Sequence, residues 1–303
     1  VRSRRQRQMC IRDRNTYATR TVRVTQLSGG GTKYVKTGGA ITLTPTKSAS
    51  AGTINWTTSN STNAKLSASS GNSVTVTAGA VGSYTVTATE ANGGSSTSYT
   101  IVVTSLAISP TSVTLDMSGT KTQQLTASGS NYGSVTYTSS NKGVATVSSS
   151  GLITGVGNGS CTITATGANG NPTATCSVTV KTSATGISLN RTTALLKASA
   201  TTTLTATMAP STTTDSITWT TSNAAIATIS ASSGGSTVVT GKANGSCTIT
   251  ARTTSGKTAT CTVTVDTVAP TCTITSSVGS LTNASSILSL IHISEPTRQA
   301  EIS

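Results

Sequence analysis

Residues 159–180 read GSCTITATGANGNPTATCSVTV, and this stretch decides the fold of the chain. Cys161, Ile163 and Ala165 alternate with threonines, so one face of a strand is apolar and the other is polar. Residues 167–170, rich in Gly and Asn, can adopt the positive φ angles of a turn. The same alternation resumes in TATCSVTV, so the stretch predicts a β-hairpin.

The hairpin occurs three times, which indicates tandem modules. Residues 245–265 repeat it closely, and residues 82–103 carry a more divergent copy. An aromatic residue lies upstream of each copy with a spacing of 81 and 82 residues, about one immunoglobulin-sized module. These aromatic residues are expected to fill the domain cores rather than to form ligand platforms: Trp56, Tyr137 and Trp219.

Each hairpin carries a matched pair of residues on its two strands. The pairs are Tyr84 with Tyr99, Cys161 with Cys176, and Cys247 with Cys261. Two positions that change together are typical of cross-strand neighbours, so we expect each cysteine pair to face across its hairpin within disulfide reach. A disulfide closing such a loop would add about 3 kcal/mol in the chain-entropy model. The alternative is a pair of reduced thiols that pack as small hydrophobic groups.

Both ends of the sequence resemble translated transposase adapters from short-read DNA sequencing. CAG ATG TGT ATA AGA GAC AG encodes Gln8–Asp13, and its reverse complement, beginning CTG TCT CTT ATA CAC ATC T, encodes residues 288–293. Complementary copies of one oligonucleotide at both ends are very rare by chance. We therefore predict that 1–14 is unstructured adapter sequence and that 288–303 is adapter sequence, and we exclude both from the fold.

The remaining residues, 15–287, are mildly basic. They hold 14 of the 21 basic residues and 4 of the 7 acidic ones, so the net charge falls from +14 to +10. The basic residues are scattered singly and do not form the stripe that binds a phosphate backbone, so no nucleic-acid partner is expected. No membrane-spanning segment is expected either. The five cysteines of this part favour an extracellular setting over the cytosol.

The period and the turn positions divide the chain into modules. We predict three domains, at 15–104, 105–181 and 182–265, and a linker with the truncated start of a further domain at 266–287. Cys272 lies in that last segment, without a partner in the sequence. The predicted fold is all-β, with tandem immunoglobulin-like β-sandwich domains joined in an array.

Three motifs recur in the second and third modules. They are a Tyr/Trp-Thr-Thr/Ser-Ser-Asn run, a Val/Ile-Ala-Thr-Val/Ile strand, and Asn-Gly-Ser-Cys-Thr-Ile-Thr-Ala with its preceding glycine. On these residues, 105–265 resembles two bacterial immunoglobulin-like domains of group 2. The first module has Ala-Lys-Leu-Ser at 64–67 in place of the Val-Ala-Thr-Val strand and resembles a divergent member. The family occurs in intimin- and invasin-type adhesins, in accessory regions of enzymes and in phage virion proteins, so the resemblance specifies fold more than function.

No catalytic constellation is visible in the sequence. The only histidine, His292, falls in the excluded end, which removes Ser-His-Asp and Cys-His arrangements. The acidic residues are far apart and the cysteines lack Cys-x-x-Cys spacing, which disfavours paired-carboxylate, calcium and zinc sites. The four acids are Glu90, Asp116, Asp215 and Asp266. We therefore predict no catalytic residue, no cofactor and no metal, and a chain that is not an enzyme.

These features predict a fragment of a modular extracellular or cell-surface bacterial protein. Its domains would form a monomeric stalk or adhesion array that binds an unidentified protein or glycan ligand. Two alternatives stay open: decoration domains of a phage virion protein, and accessory domains of a secreted glycan-degrading enzyme.

Overall fold

The computed structural model describes residues 25–49, 51–91 and 94–267, together with the backbone of four short strands outside them. Every regular element in this described part is a β-strand. The strands form successive two-sheet domains, each with its own hydrophobic core, which confirms the predicted all-β class of tandem immunoglobulin-like sandwiches. The expectations for the side chains of His292 and Cys272 lie outside the described residues.

The first described elements are two strands, β1 (Gln8–Asp13) and β2 (Thr16–Thr21), which pair antiparallel. The expectation that 1–14 is unstructured therefore does not hold for 8–13, and the rest of that segment lies outside the described residues. The physical reason is in the sequence, since Thr16–Thr21 is rich in Thr, which favours extended backbone. The strand pairing does not test whether the segment is adapter sequence, which stays a prediction.

The first domain is a sandwich whose main sheet has the order β4–β11–β10–β7, with β4 parallel to β11, and whose second sheet has the order β5–β9–β8. Alternate apolar residues of both sheets meet in the core, including Trp56 and Val86 of the main sheet and Val76 of the second. Its strands are β3 (Leu27–Ser28), β4 (Gly31–Lys36), β5 (Ala40–Leu43), β6 (Thr46–Lys47), β7 (Ile54–Thr58), β8 (Ala64–Leu66), β9 (Val74–Ala78), β10 (Gly82–Glu90) and β11 (Ser96–Ser109).

The second domain repeats this plan, with sheets β12–β19–β18–β15 and β13–β17–β16, while β14 pairs with the end of β11. The first strand, β12, again runs parallel to the last, β19. The strands are β12 (Ser112–Asp116), β13 (Thr122–Gln124), β14 (Thr126–Ser130), β15 (Val135–Ser139), β16 (Ala145–Val147), β17 (Leu152–Gly155), β18 (Gly159–Gly167) and β19 (Thr173–Lys181).

The third domain has sheets β21–β27–β26–β23 and β20–β22–β25–β24, with β21 parallel to β27. Its strands are β20 (Gly186–Leu189), β21 (Thr193–Lys197), β22 (Thr201–Ala209), β23 (Ile217–Thr221), β24 (Ala227–Ile229), β25 (Ser236–Gly241), β26 (Gly245–Thr253) and β27 (Thr258–Asp266). Beyond it, β28 (Cys272–Thr273) pairs with β29 (His292–Ile293).

The predicted hairpin is confirmed as β18 and β19, but the predicted pairing within it is wrong. Cys161 lies opposite Val178, and Cys176 lies opposite Ile163. The two cysteines therefore share a face as diagonal neighbours, a wider separation than that of directly opposed residues. The register follows from the turn between the strands, which matched substitutions in three copies cannot reveal. β26 and β27 repeat this diagonal placement for the third-domain pair.

Candidate functional site

The four hairpin cysteines are buried free thiols that contribute to the domain cores. Burial raises the pKa of the Cys176 thiol, and the neighbouring Cys161 raises it further. Burial also raises the pKa of Cys261, against the opposing effect of Arg191. The structure does not support the predicted disulfides, Cys161–Cys176 and Cys247–Cys261, and favours the alternative of thiols that pack as small hydrophobic groups.

The acidic residues hold main-chain turns at separate places in the described structure. Asp215 Oδ2 accepts hydrogen bonds from the main-chain nitrogens of Ala184 at 3.0 Å and Ser255 at 3.3 Å. Burial by itself raises the pKa of Asp215, but hydrogen bonds from its neighbours outweigh burial and lower the pKa below its ordinary value. Glu90 is buried in the first domain, where Oε1 accepts from Gly52 N at 2.6 Å.

The described residues contain no cluster of three metal-ligating side chains. Within the same part of the chain, no helix has the length and apolar character needed to cross a membrane.

The three mid-sheet aromatic residues differ in burial. Trp56 is 3% exposed and Trp219 is 2% exposed, so both fill their cores as predicted. Tyr137 packs against the second core but is only half-buried. The prediction of a core role is therefore incomplete for Tyr137, because part of this side chain faces outward.

This difference follows from the length of one hairpin in each domain. In the first and third domains the hairpin between the short edge strand and its neighbour spans 67–75 and 230–238. In the second domain it spans 148–152 and is four residues shorter. The longer hairpins fold back over the aromatic residue, whereas the shorter one does not reach far enough to cover it.

In the third domain the longer hairpin pairs with the edge of β23 as an extended segment. Trp219 N donates to Ser232 O at 2.9 Å, and Gly234 N donates to Ile217 O at 3.1 Å. Trp219 Nε1 also donates to Gly234 O at 2.8 Å. The first domain repeats the three bonds at 2.8, 3.0 and 2.9 Å: Trp56 N to Ser69 O, Gly71 N to Ile54 O, and Trp56 Nε1 to Gly71 O.

In the second domain, which lacks a covering segment, a cleft of about 390 Å³ lies beside β15. Gly151, in the short turn, lies close to the tip of the Tyr137 ring, since a Cβ there would lie 3.0 Å from Tyr137 Cζ. The cleft is lined by Tyr137, Thr138, Ser139, Lys142, Thr146 and Val147.

The edge of β15 that borders this cleft carries main-chain groups that no described residue bonds. Ser140 N donates to Thr162 O in β18, so the even-numbered positions of this strand bond to β18. The odd-numbered positions therefore direct their N–H and C=O groups away from β18. In the described part of the chain, no residue bonds the outward N–H of Tyr137 or the outward C=O of Val135.

The sequence contains a signal for this site that the periodicity argument missed. The pentapeptide SASSG occurs at 67–71 and again at 230–234, where it forms the covering segments. The second domain has SSSG at 148–151 in its place. Aligning the three modules by this hairpin, rather than by the cysteine hairpin, distinguishes the open domain from the two covered ones.

Tandem sandwiches in which an early strand lies parallel to the last strand define a chain of immunoglobulin-like modules. The family model of the bacterial Ig-like domain (group 2) matches residues 102–178 and 183–263, just over half of the chain. The chain belongs to this family.

No curated protein matches the chain. Among solved structures, a C-terminal fragment of intimin in complex with the intimin-binding domain of its translocated receptor is similar, with 22% identity, 58% of this chain and 69% of that chain covered, and a TM-score of 0.40. The titin I-band fragment I67–I69 shows 17% identity over 80% of this chain and 97% of that one, with a TM-score of 0.35. The surface-layer protein rSbsC shows 21% identity over 73% of this chain and 36% of that one, with a TM-score of 0.28.

Proposed function

We propose that the chain is a non-catalytic stalk and adhesion segment of a modular extracellular bacterial protein. Its domains would hold a binding surface at a set distance from the cell. The family, the tandem repetition and the threonine-rich outer faces of the strands support this proposal. One observation carries it: the first two domains share a strand instead of being joined by a flexible linker.

The shared strand is β11 (Ser96–Ser109). Its first part pairs with β10 and β4 of the first domain, and its last part pairs with β14 of the second. Thr104 at the junction is fully buried, and its C=O accepts from Thr37 N at 3.0 Å and Thr37 Oγ1 at 3.2 Å. Ladder hydrogen bonds thus continue across the domain boundary, which restrains bending between the two domains.

A turn of the second domain also contacts the first at this junction. Gly170 has a φ of +70°, and a Cβ there would lie 2.9 Å from the main chain of Val35 and 3.0 Å from Thr104 Oγ1. Only glycine fits this approach without displacing main-chain atoms. The close contact supports a junction of fixed geometry, as a spacer requires.

The distance between the two domains tests the stalk proposal. Spin labels on genetically encoded residues at Lys65 and Lys121, with pulsed electron resonance, should give a narrow distance distribution in the whole chain. Inserting two glycines after Thr104 should broaden it, and Gly170→Ala should shift or broaden it. Gly94→Ala is the matched control, since Gly94 has a φ of +68° and no atom within 4 Å of its Cβ position.

A broad distribution in the unmodified chain would contradict the spacer role. The extracellular location is tested separately, by protease treatment of intact source cells followed by detection with antibodies against the second and third domains. Cleavage on intact cells is the expected result. Fragments that appear only after lysis would contradict an extracellular location.

A further inference from the structure

The open edge of β15 in the second domain has the properties of a peptide-binding site. Its outward N–H and C=O groups lie at the positions that the first and third domains bond to their own SASSG segments. Val135–Ser139 contains no charged residue and no proline, two of the devices that keep an exposed strand from pairing. The edge is therefore chemically ready to add a strand.

We propose that β15 binds an extended, small-residue peptide segment of another protein by strand addition. The third domain shows what fits, because its covering segment is extended, bonds through its main chain and carries only Ala, Ser and Gly at 231–234. Small side chains allow the peptide backbone to approach the aromatic ring closely, as Gly234 does over Trp219. The cleft of about 390 Å³ has the size of a ligand-binding pocket.

Lys142 adds a charge preference to this site. It is exposed and lines the cleft, whereas the corresponding positions of the first and third domains are Ser61 and Ala224. In the third domain the bridge between Thr218 and Ser233 sets an antiparallel register. Position 230 has its counterpart in Ser148 of the second domain itself, so the first position left for a peptide is 231, at the end of the strand nearest to position 224. A peptide with an acidic residue at position 231 would therefore bring a carboxylate near Lys142.

This inference is independent of the stalk role, because it depends on the edge of one domain and not on the junction between domains. The probe is a fluorescein-labelled synthetic peptide with the sequence of residues 228–237, TISASSGGST, titrated with the whole chain and followed by fluorescence anisotropy. A second peptide carries Ala231→Asp. A third carries Gly234→Pro and lacks the N–H that would donate to Val135 O.

We expect saturable binding of the first peptide. The proline peptide should bind at least about tenfold more weakly, because it loses one main-chain hydrogen bond and its pyrrolidine ring clashes with the strand edge. The aspartate peptide should bind up to about fivefold more tightly, as expected for one exposed ion pair. Lys142→Ala should remove that preference. Lys121→Ala, a matched loss of an exposed charge in the same domain, should keep it.

The decisive variant replaces residues 149–151 with the seven residues ASSGGST of 231–237, which gives the second domain its own cover. This variant should lose at least about tenfold in peptide affinity. Amide exchange of β18 and β19 checks that the variant still folds. Failure of the first peptide to bind the native chain, or equal binding of the glycine and proline peptides, overturns the proposal.

Two other occupants give distinct results. If the native chain dimerises in sedimentation velocity and the covered variant does not, the edge pairs with a second copy and the proposal is wrong. If an oligosaccharide binds with dependence on Tyr137 and no peptide competes with it, the cleft is a glycan site and the proposal is also wrong.

Discussion

The second and third domains share a fold, a cysteine hairpin and a strand order, yet they differ at one sheet edge. The third domain covers that edge with seven hairpin residues, 231–237, and buries Trp219 beneath them. The second domain has three residues there, 149–151, and leaves Tyr137 half-buried beside a cleft. A four-residue difference in one hairpin thus decides whether a sheet edge is satisfied within its own domain or left open.

The largest expected effect is the loss of the covered aromatic side chain. Trp219→Ala should destabilise the third domain by about 3–5 kcal/mol, because it removes a fully packed side chain and leaves a cavity. Tyr137→Ala should cost the second domain about 1–2 kcal/mol, since part of that ring already faces solvent. Hydrogen exchange measured by mass spectrometry reports each domain separately, which a single unfolding curve of a multidomain chain does not. Equal losses would show that the two aromatic residues are equivalent.

The next effect comes from uncovering the third domain. Replacing 231–237 with the SSG of 149–151 removes three hydrogen bonds to Ile217 and Trp219 and should destabilise the domain by about 2–3 kcal/mol. The same variant should gain affinity for the TISASSGGST peptide, measured by anisotropy in a background where the second domain is covered. A destabilised third domain that gains no peptide binding would show that an open edge is not sufficient for binding.

The cysteine pairs give a smaller effect that separates thiol packing from a disulfide. If the thiols only pack, Cys161→Ala with Cys176→Ala should cost the second domain about 1–2 kcal/mol, with or without reductant. The matched third-domain pair, Cys247→Ala with Cys261→Ala, should cost a similar amount. A disulfide predicts instead a loss of about 3 kcal/mol that appears only without reductant. Alkylation of the unfolded, unreduced chain followed by mass measurement counts the free thiols directly.

The smallest effect concerns Asp215, whose position in the second domain is occupied by Gly133. The pKa of Asp215 is lowered in the folded state. Its contribution to the stability of the third domain is therefore present above the unfolded pKa of about 3.9 and is lost as the pH falls through the folded pKa. Asp215→Asn should cost the third domain about 0.5 kcal/mol at pH 6 and less near pH 3. Hydrogen exchange at the two pH values measures the difference, and the second domain should not respond.

Sequence periodicity was sufficient to predict the hairpins, because alternation of Cys, Ile and Ala with threonine fixes which residues face the core. It was not sufficient for the register, since the turn between β18 and β19 determines which residues oppose each other. The candidate site was missed because Tyr137 occupies the same place in its motif as Trp56 and Trp219. The feature that distinguishes it lies in a hairpin with no hydrophobic pattern, where length rather than composition decides burial.

The parallel pairing of an early strand with the last strand has a mechanical consequence. In each domain the two strands run side by side in the same direction: β4 with β11, β12 with β19, and β21 with β27. Pulling the two ends of such a domain apart slides one strand along the other, so the hydrogen bonds of the ladder bear tension together and do not break one at a time. Each module is thus built to withstand stretching along the chain.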